Sequence, residues 1–420
     1  MPVEQTGSRP VLDPGAPTVS VPLLIVGLSL LVWALWSRVF RKVTVNGPIV
    51  MTALGLLGGA LLPVQGELFL ESKAMLFFAE IVLAYLLFVD ALEVRGSFGS
   101  HFTGVPARLL GIGLPLSLIL VLAVGLILPL GLSVAVILAI ACISVPADFS
   151  PETSIVRDDR VPARVRRWLN VESGYNDGLV SPLLLGAVAF ASAGTTSDAG
   201  RAFAVAAPAG LIAILVGAAT GAAIGGAMRF ADGRGWTEAQ SMRIAFVATP
   251  LIVFGLAVAL QGNGFVAVFV AGVAVRLVRG ASGIPSAEIS LLDDLSWLLN
   301  LLLWLAFGFA SIVLLSETYD WWPAIVLALV ALTVGRFLPV LLSLIGTETT
   351  RKERFFVAAM GPRGAASIVF GLIAANALPG EEGFLVLAAT CMVVLGSVVL
   401  HGIAGPLLVR RFWPARVTAA

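Results

Sequence analysis

The sequence predicts an all-α polytopic membrane protein with about thirteen transmembrane helices, and three observations carry that prediction. Of its 420 residues, 59% are hydrophobic and 12% are charged. A water-soluble core has no room for that much apolar side chain in so many separate segments. Apolar runs of a length suited to the ~30 Å hydrocarbon layer recur from one end of the chain to the other. Between those runs the basic residues alternate, being plentiful in one connection and nearly absent from the next.

On a ruler of about 20 apolar residues per crossing, the spans fall at about 21–37, 48–66, 75–92, 106–130, 132–149, 171–193, 203–228, 243–261, 264–280, 293–315, 322–346, 355–378 and 383–409. Residues 1–20 are polar, contain proline and glycine and carry Arg9 as their one base, so they read as a short tail without the positive leader of a signal peptide. Residues 21–409 read as one transmembrane unit, and 410–420 as a short tail with no room for a regulatory domain.

The bases test the count, because Lys and Arg collect in cytoplasmic connections. Those after spans 1, 3, 5, 7, 9, 11 and 13 hold Arg38/Arg41/Lys42, Arg95/Arg108, Arg157/Arg160/Arg164/Arg166/Arg167, Arg229/Arg234/Arg243, Arg276/Arg279, Arg336/Arg351/Lys352/Arg354 and Arg410/Arg411/Arg416. That is 22 of the 26 bases. The opposite side holds Arg9, Lys73 and Arg201, and one span too many or too few would scramble every later connection. The expected topology has its N-terminus outside and its C-terminus in the cytoplasm.

Several function classes drop out. A net charge of +1 gives no cluster with which to bind nucleic acid. Cys142 and Cys391 lie in apolar runs without His or Cys at metal-ligand spacing, so they read as small buried residues and no cofactor is expected. No GxxxxGK[ST] is present, which argues against an ATP-driven pump. His101 and His401 sit near span ends with no HExxH or GxSxG, which argues against an enzyme.

Arg363 is the base left over. It lies in GPRGAAS inside span 12, where a guanidinium costs ~2.5–3.5 kcal/mol on insertion scales. An acidic partner within the bundle is expected, the candidates being Glu80, Asp90, Asp148, Glu172 and Asp177. For Arg336 and Arg276, near span ends, snorkelling to the surface is explanation enough.

Polar breaks mark the candidate site. In ISVPADFSP, Pro146 and Pro151 remove backbone donors and disfavour helix in the residue before each, so span 5 ends or unwinds around Asp148. Freed carbonyls and a carboxylate at membrane depth are hard oxygen ligands for a cation. Gly361, Pro362 and Gly364 interrupt span 12 in the same manner. Interrupted helices of opposite polarity in the two halves of a chain point to an inverted-repeat transporter with its site where the breaks cross. A third element, NVESGYNDGLVSP, opens span 6. At 3.6 residues per turn Glu172 stands above Asn176 and Ser173 above Asp177, which clusters four oxygen-bearing side chains on adjoining faces.

With VESGYNDG, RVPARVRRWLNVES and GPRGAASIVFGL in hand, the chain resembles the NhaP-type bacterial sodium/proton antiporters of the monovalent cation:proton antiporter superfamily, related to the sodium/hydrogen exchangers. The resemblance covers all thirteen spans. It implies an antiporter fold in which broken helices 5 and 12 cross, with a core around spans 5, 6, 12 and 13 and a dimerisation panel built from other spans. It implies that Asp177 and Asp148 bind Na⁺ and exchange it for protons, with Ser173 and the Ala147 carbonyl as further ligands. Glu172 and Asn176 would be tied to Arg363. The implied partners are Na⁺, Li⁺ or K⁺, H⁺, the lipid bilayer and a second copy in a homodimer, in a bacterial inner membrane.

The implied activity is electroneutral secondary exchange by alternating access. In place of the family's usual Thr-Asp-Pro, this chain has Ala147-Asp148-Phe149, which sets bulk beside the unwound turn. A K⁺/H⁺ antiporter, a cation channel without proton coupling and a non-transporting sensor are the alternatives open at this point.

Overall fold

A computed structural model describes residues 20–42, 45–61, 73–93, 104–149, 155, 158–192, 199–280, 284–378 and 380–414. Both expected tails therefore lie wholly or largely outside the described residues, as does Pro151. Fourteen helices and no strand occur among the described residues: α1 (Ser20–Lys42), α2 (Gly47–Leu61), α3 (Lys73–Glu93), α4 (Gly104–Ile127), α5 (Val134–Ser144), α6 (Ala163–Ser192), α7 (Ala199–Gly233), α8 (Ala239–Ala259), α9 (Gly264–Arg279), α10 (Ser286–Ser316), α11 (Trp322–Ser343), α12 (Arg351–Ala359), α13 (Ala365–Ala377) and α14 (Gly380–Phe412).

Each predicted apolar run overlaps a helix, and the run at 355–378 is divided between α12 and α13. Eight of these helices, α1, α3, α4, α7, α8, α10, α11 and α14, are long and apolar enough to cross a membrane by themselves. The helices α2, α5 and α13 are equally apolar but shorter. The expected thirteen crossings thus include half-length pieces, which is the form interrupted helices take.

Helix ends follow local chemistry. Ser133 opens α5 by accepting the Val136 N–H at 3.3 Å, and Pro146 follows its last turn. Asn263 caps α9 by accepting the N–H groups of Phe265 and Val266 at 3.0 and 3.2 Å. Thr350 and Glu353 form a reciprocal capping box at the start of α12. Arg164 of α6 then grips both Glu353 oxygens at 2.6 and 2.8 Å, tying the starts of α6 and α12 together. Two irregularities escaped the sequence reading. A π-helical turn occupies Leu109–Gly113 within α4, and α11 breaks at Thr333, whose φ and ψ are −113° and −96°.

The helices pack as two groups. In one, α7 lies along α9, α2 along α10 and α3 along α9, with α8 filling in beside α9 and α10. In the other, α11 packs on α14, α5 on α6, and α13 on α14, with α4 against α11. The groups meet where α6 touches α3, α7 and α9, and where α13 touches α3 and α10.

Backbone-to-backbone contact between α2 and α10 depends on two glycines. A Cβ on Gly55 would sit 2.2 Å from the Leu305 carbonyl oxygen, and one on Gly308 would sit 2.2 Å from that of Thr52. Such overlap cannot be relieved by a rotamer change, because the obstacle is main chain. Gly308→Ala is expected to push α2 off α10 and cost about 1–3 kcal/mol, read as a lower melting temperature in detergent; unchanged melting would contradict the packing.

Candidate cation site

The site is assembled from two interrupted helices and one continuous one. Helix α5 stops at Ser144, and residues 145–149 are not helical. Helix α12 stops at Ala359, and residues 360–364 form the gap before α13. The gaps touch directly. The Asp148 N–H donates to the Pro362 carbonyl at 2.7 Å, and the Ala365 N–H donates to Asp148 Oδ2 at 2.9 Å. Ser367 Oγ donates to the Ile143 carbonyl at 2.7 Å. Asp148 therefore caps α13, answering one of the backbone donors that its first turn leaves free. Pro146, Gly361, Pro362 and Gly364 all sit in or beside these gaps, as their sequence suggests.

Helix α6 closes the site. Asn176 Nδ2 donates to the Ala147 carbonyl at 2.7 Å, and the Phe149 N–H donates to Ser173 Oγ at 3.4 Å. Glu172, Asn176 and Asp177 are buried, and Ser173 is half-buried. Three oxygens here, Asp177 Oδ1, Asn176 Oδ1 and Ser144 Oγ, are buried without a hydrogen-bond partner among the described residues. Buried oxygens left undonated are costly in a closed protein interior. A cation or a proton removes that cost, and carboxylate, amide, hydroxyl and carbonyl oxygens suit a hard ion.

The charges of Asp148, Asp90 and Arg363 all act on Asp177. Asp90, on α3, was read in the sequence only as a possible partner for Arg363. Its real signal was an aspartate at the end of an apolar stretch, Leu86 to Leu92, on a helix that packs against both α6 and α13.

Two expectations about the arginines are corrected. Glu172 is not tied to Arg363: it pairs with Arg336, which grips both of its oxygens, Nη2 to Oε2 at 2.9 Å and Nη1 to Oε1. Arg336 Nη2 also donates to the Met360 carbonyl at 2.9 Å. Arg336 therefore neither snorkels nor lies in a connection; its side chain is 6% exposed. The break at Thr333 starts the second half of α11 afresh, close to the α12 end. Gly361 supplies the space, since a Cβ there would lie 2.7 Å from Arg336 Nε.

Arg363 is fully buried and is satisfied by carbonyls in place of an acid. It donates to Ser144 O and Gly361 O, and through Nη2 to Ala331 O at 3.1 Å. Ser144 and Ala331 close the last turns of α5 and of the first half of α11, where unpaired carbonyls carry partial negative charge. Helix ends thus do the work expected of a carboxylate. Asn176, also expected at Arg363, bonds to Ala147 instead.

Phe149 does not crowd the acids. Its buried ring belongs to an apolar cluster with Val105, Leu109, Leu344, Phe356 and Met360 that also takes in Val165 and Leu169 of α6, a turn or more before Ser173.

Comparison with known proteins agrees with this geometry. The family model described as sodium/hydrogen exchanger, transmembrane, matches residues 26–411. The K⁺/H⁺ antiporter NhaP of Alkalimonas amylolytica is 24% identical over 396 residues, a match that takes in 91% of this chain and 65% of that protein. The structure of the sodium proton antiporter MjNhaP1 from Methanocaldococcus jannaschii at pH 8 superposes with a TM-score of 0.74 at 19% identity, covering 94% of this chain and 100% of the other. An electron-microscopy structure of the same antiporter gives 0.70 at 19% identity, covering 94% and 98%. At that identity the likeness is one of fold. With a family match that runs from α1 into α14 around this crossing of broken helices, the chain belongs to the sodium/hydrogen exchanger family of multi-pass membrane proteins and has an NhaP-type fold.

Proposed function

We propose that this protein exchanges protons for a monovalent cation across the membrane by alternating access. The observation that carries the reading is the unpartnered buried Oδ1 of Asp177, set beside the crossing where Asp148 caps α13. Two carboxylates set close enough for each to act on the other resist being charged together, so a proton or a cation is drawn in to neutralise them. Both ligands use the same oxygens and exclude each other.

Asp177 and Asp148 hold the exchanged ion in this reading, and Ser173 contributes its hydroxyl. The Ala147 carbonyl keeps a second lone pair beyond its bond to Asn176. Glu172 with Arg336, and Arg363 with its carbonyls, fix the surrounding backbone. A loaded site carries less charge across the low-dielectric barrier than an empty one, so only loaded forms move readily, and exchange is one cation for one proton. The group carrying α5, α6, α13 and α14 moves against the group carrying α2, α3 and α7–α10. The second group also forms a homodimer contact, in a bacterial inner membrane with the N-terminus outside and the C-terminus in the cytoplasm.

Na⁺ is the first candidate substrate, with Li⁺ beside it. The rival is K⁺, favoured by the name of the Alkalimonas relative. Everted vesicles carrying a pH-sensitive dye distinguish them: addition of Na⁺ should dequench the dye at lower concentration than K⁺ does. A reversed order assigns K⁺. Cation uptake with no proton movement would overturn antiport and leave a channel.

A further inference from the structure

The gap at residues 360–364 holds Asp148 from one side and is itself held from the other. Its two flanking amides point away from Asp148 and into α14. The Gly361 N–H donates to His401 Nε2 at 3.4 Å, and the Arg363 N–H donates to Ser397 Oγ at 2.7 Å. Ser397 and His401 lie one turn apart on α14, and both are buried, at 0% and 1% exposure. Between the two amides stands Pro362, whose carbonyl receives the Asp148 N–H.

The imidazole has a defined role in this geometry. Nε2 accepts from the Gly361 amide in the tautomer that carries its proton on Nδ1, which lies 3.1 Å from both the carbonyl and the hydroxyl of Ser397. A charged imidazolium would turn Nε2 into a second donor facing the Gly361 N–H. Main-chain amides released by a helix break at membrane depth need acceptors from the protein, and α14 supplies two.

We infer that His401 and Ser397 are positioning residues for the cation site, acting on Asp148 through the backbone of Gly361, Pro362 and Arg363. The inference rests on the proposed antiport, because its consequence is a cation affinity set from behind the ligand. Partners that orient a metal-binding group typically shift affinity by about 10- to 100-fold when removed. His401→Leu and Ser397→Ala are each expected to raise the Na⁺ or K⁺ concentration for half-maximal dequenching by about that factor. The maximal rate should fall far less, because Asp148 and Asp177 are intact.

His401→Gln is the conservative variant, since its amide oxygen can stand where Nε2 stands, and it should restore most of the affinity. Hydrogen exchange supplies a readout independent of transport: amides in a peptide spanning residues 360–365 of the purified, detergent-solubilised chain should exchange faster in His401→Leu and at the wild-type rate in His401→Gln. Unchanged half-maximal concentration with unchanged amide protection in both His401→Leu and Ser397→Ala would overturn the inference. So would a folded His401→Gln as impaired as His401→Leu. If the wild-type vesicles show no cation-driven proton movement, the antiport reading fails by itself, while the exchange of residues 360–365 still decides whether α14 holds the gap.

Discussion

Asp177→Asn is expected to reduce cation-driven proton exchange to the background of empty vesicles while leaving the chain folded and inserted. The substitution keeps the volume and removes one of the two carboxylates at the crossing for which a proton and a cation compete. It also removes a buried carboxyl group whose Oδ1 has no hydrogen-bond partner among the described residues, and a group that must be neutralised to stay buried is a cost to a protein interior. The variant should therefore melt at or above the wild-type temperature, the opposite of what a misfolded, inactive chain would do. Activity above half of wild type would remove Asp177 from the exchange site. A lowered melting temperature would mean that its carboxylate is a structural partner.

The largest stability effect is expected at Arg336. Its guanidinium and the Glu172 carboxylate form a two-pronged pair in which the side chains are 6% and 3% exposed. Truncating one member of such a pair leaves the other charge buried, at a cost of about 3–5 kcal/mol. Arg336→Ala should melt far below wild type in detergent, and the double variant Arg336→Ala/Glu172→Ala should recover much of the loss, because both charges are then gone. Arg336→Ala with wild-type melting would contradict the pairing. A double variant no better than the single one would place the stabilisation in the bonds Arg336 makes to the carbonyls of Met360 and Val357.

The elements that were legible in the sequence are those that break a strong local rule. Apolar runs separated by bases mark helices, because few other structures satisfy the backbone in hydrocarbon. Pro146 and the Gly361-Pro362-Gly364 group mark gaps because proline withholds a donor and glycine tolerates irregular backbone. Those signals located the crossing, and NDG on α6 located the third wall.

What stayed hidden was pairing. An arginine inside an apolar run demands compensation, and a carboxylate is the obvious supplier. The sequence holds no sign that Ser144, Gly361 and Ala331 present three carbonyls to one guanidinium, because that depends on two helix ends meeting the gap in which Arg363 lies. Arg336 was misplaced for a related reason. Thr333 is an unremarkable residue for an apolar helix, so the break that sends Arg336 to Glu172 leaves no trace in composition. Phe149 does set bulk beside the unwound turn, and what its sequence could not tell is that the ring enters the apolar cluster with Val105, Leu109 and Phe356.

The central claim is that protons and cations compete for the carboxylates at the crossing of α5 and α13. Proton release on cation binding tests it most directly, using purified protein in weakly buffered detergent solution with a pH indicator, titrated with Na⁺ or K⁺ near neutral pH. Wild-type protein should release about one proton for each cation bound, with release lost in both Asp148→Asn and Asp177→Asn. Cation binding by the wild type without any release of protons would contradict the account.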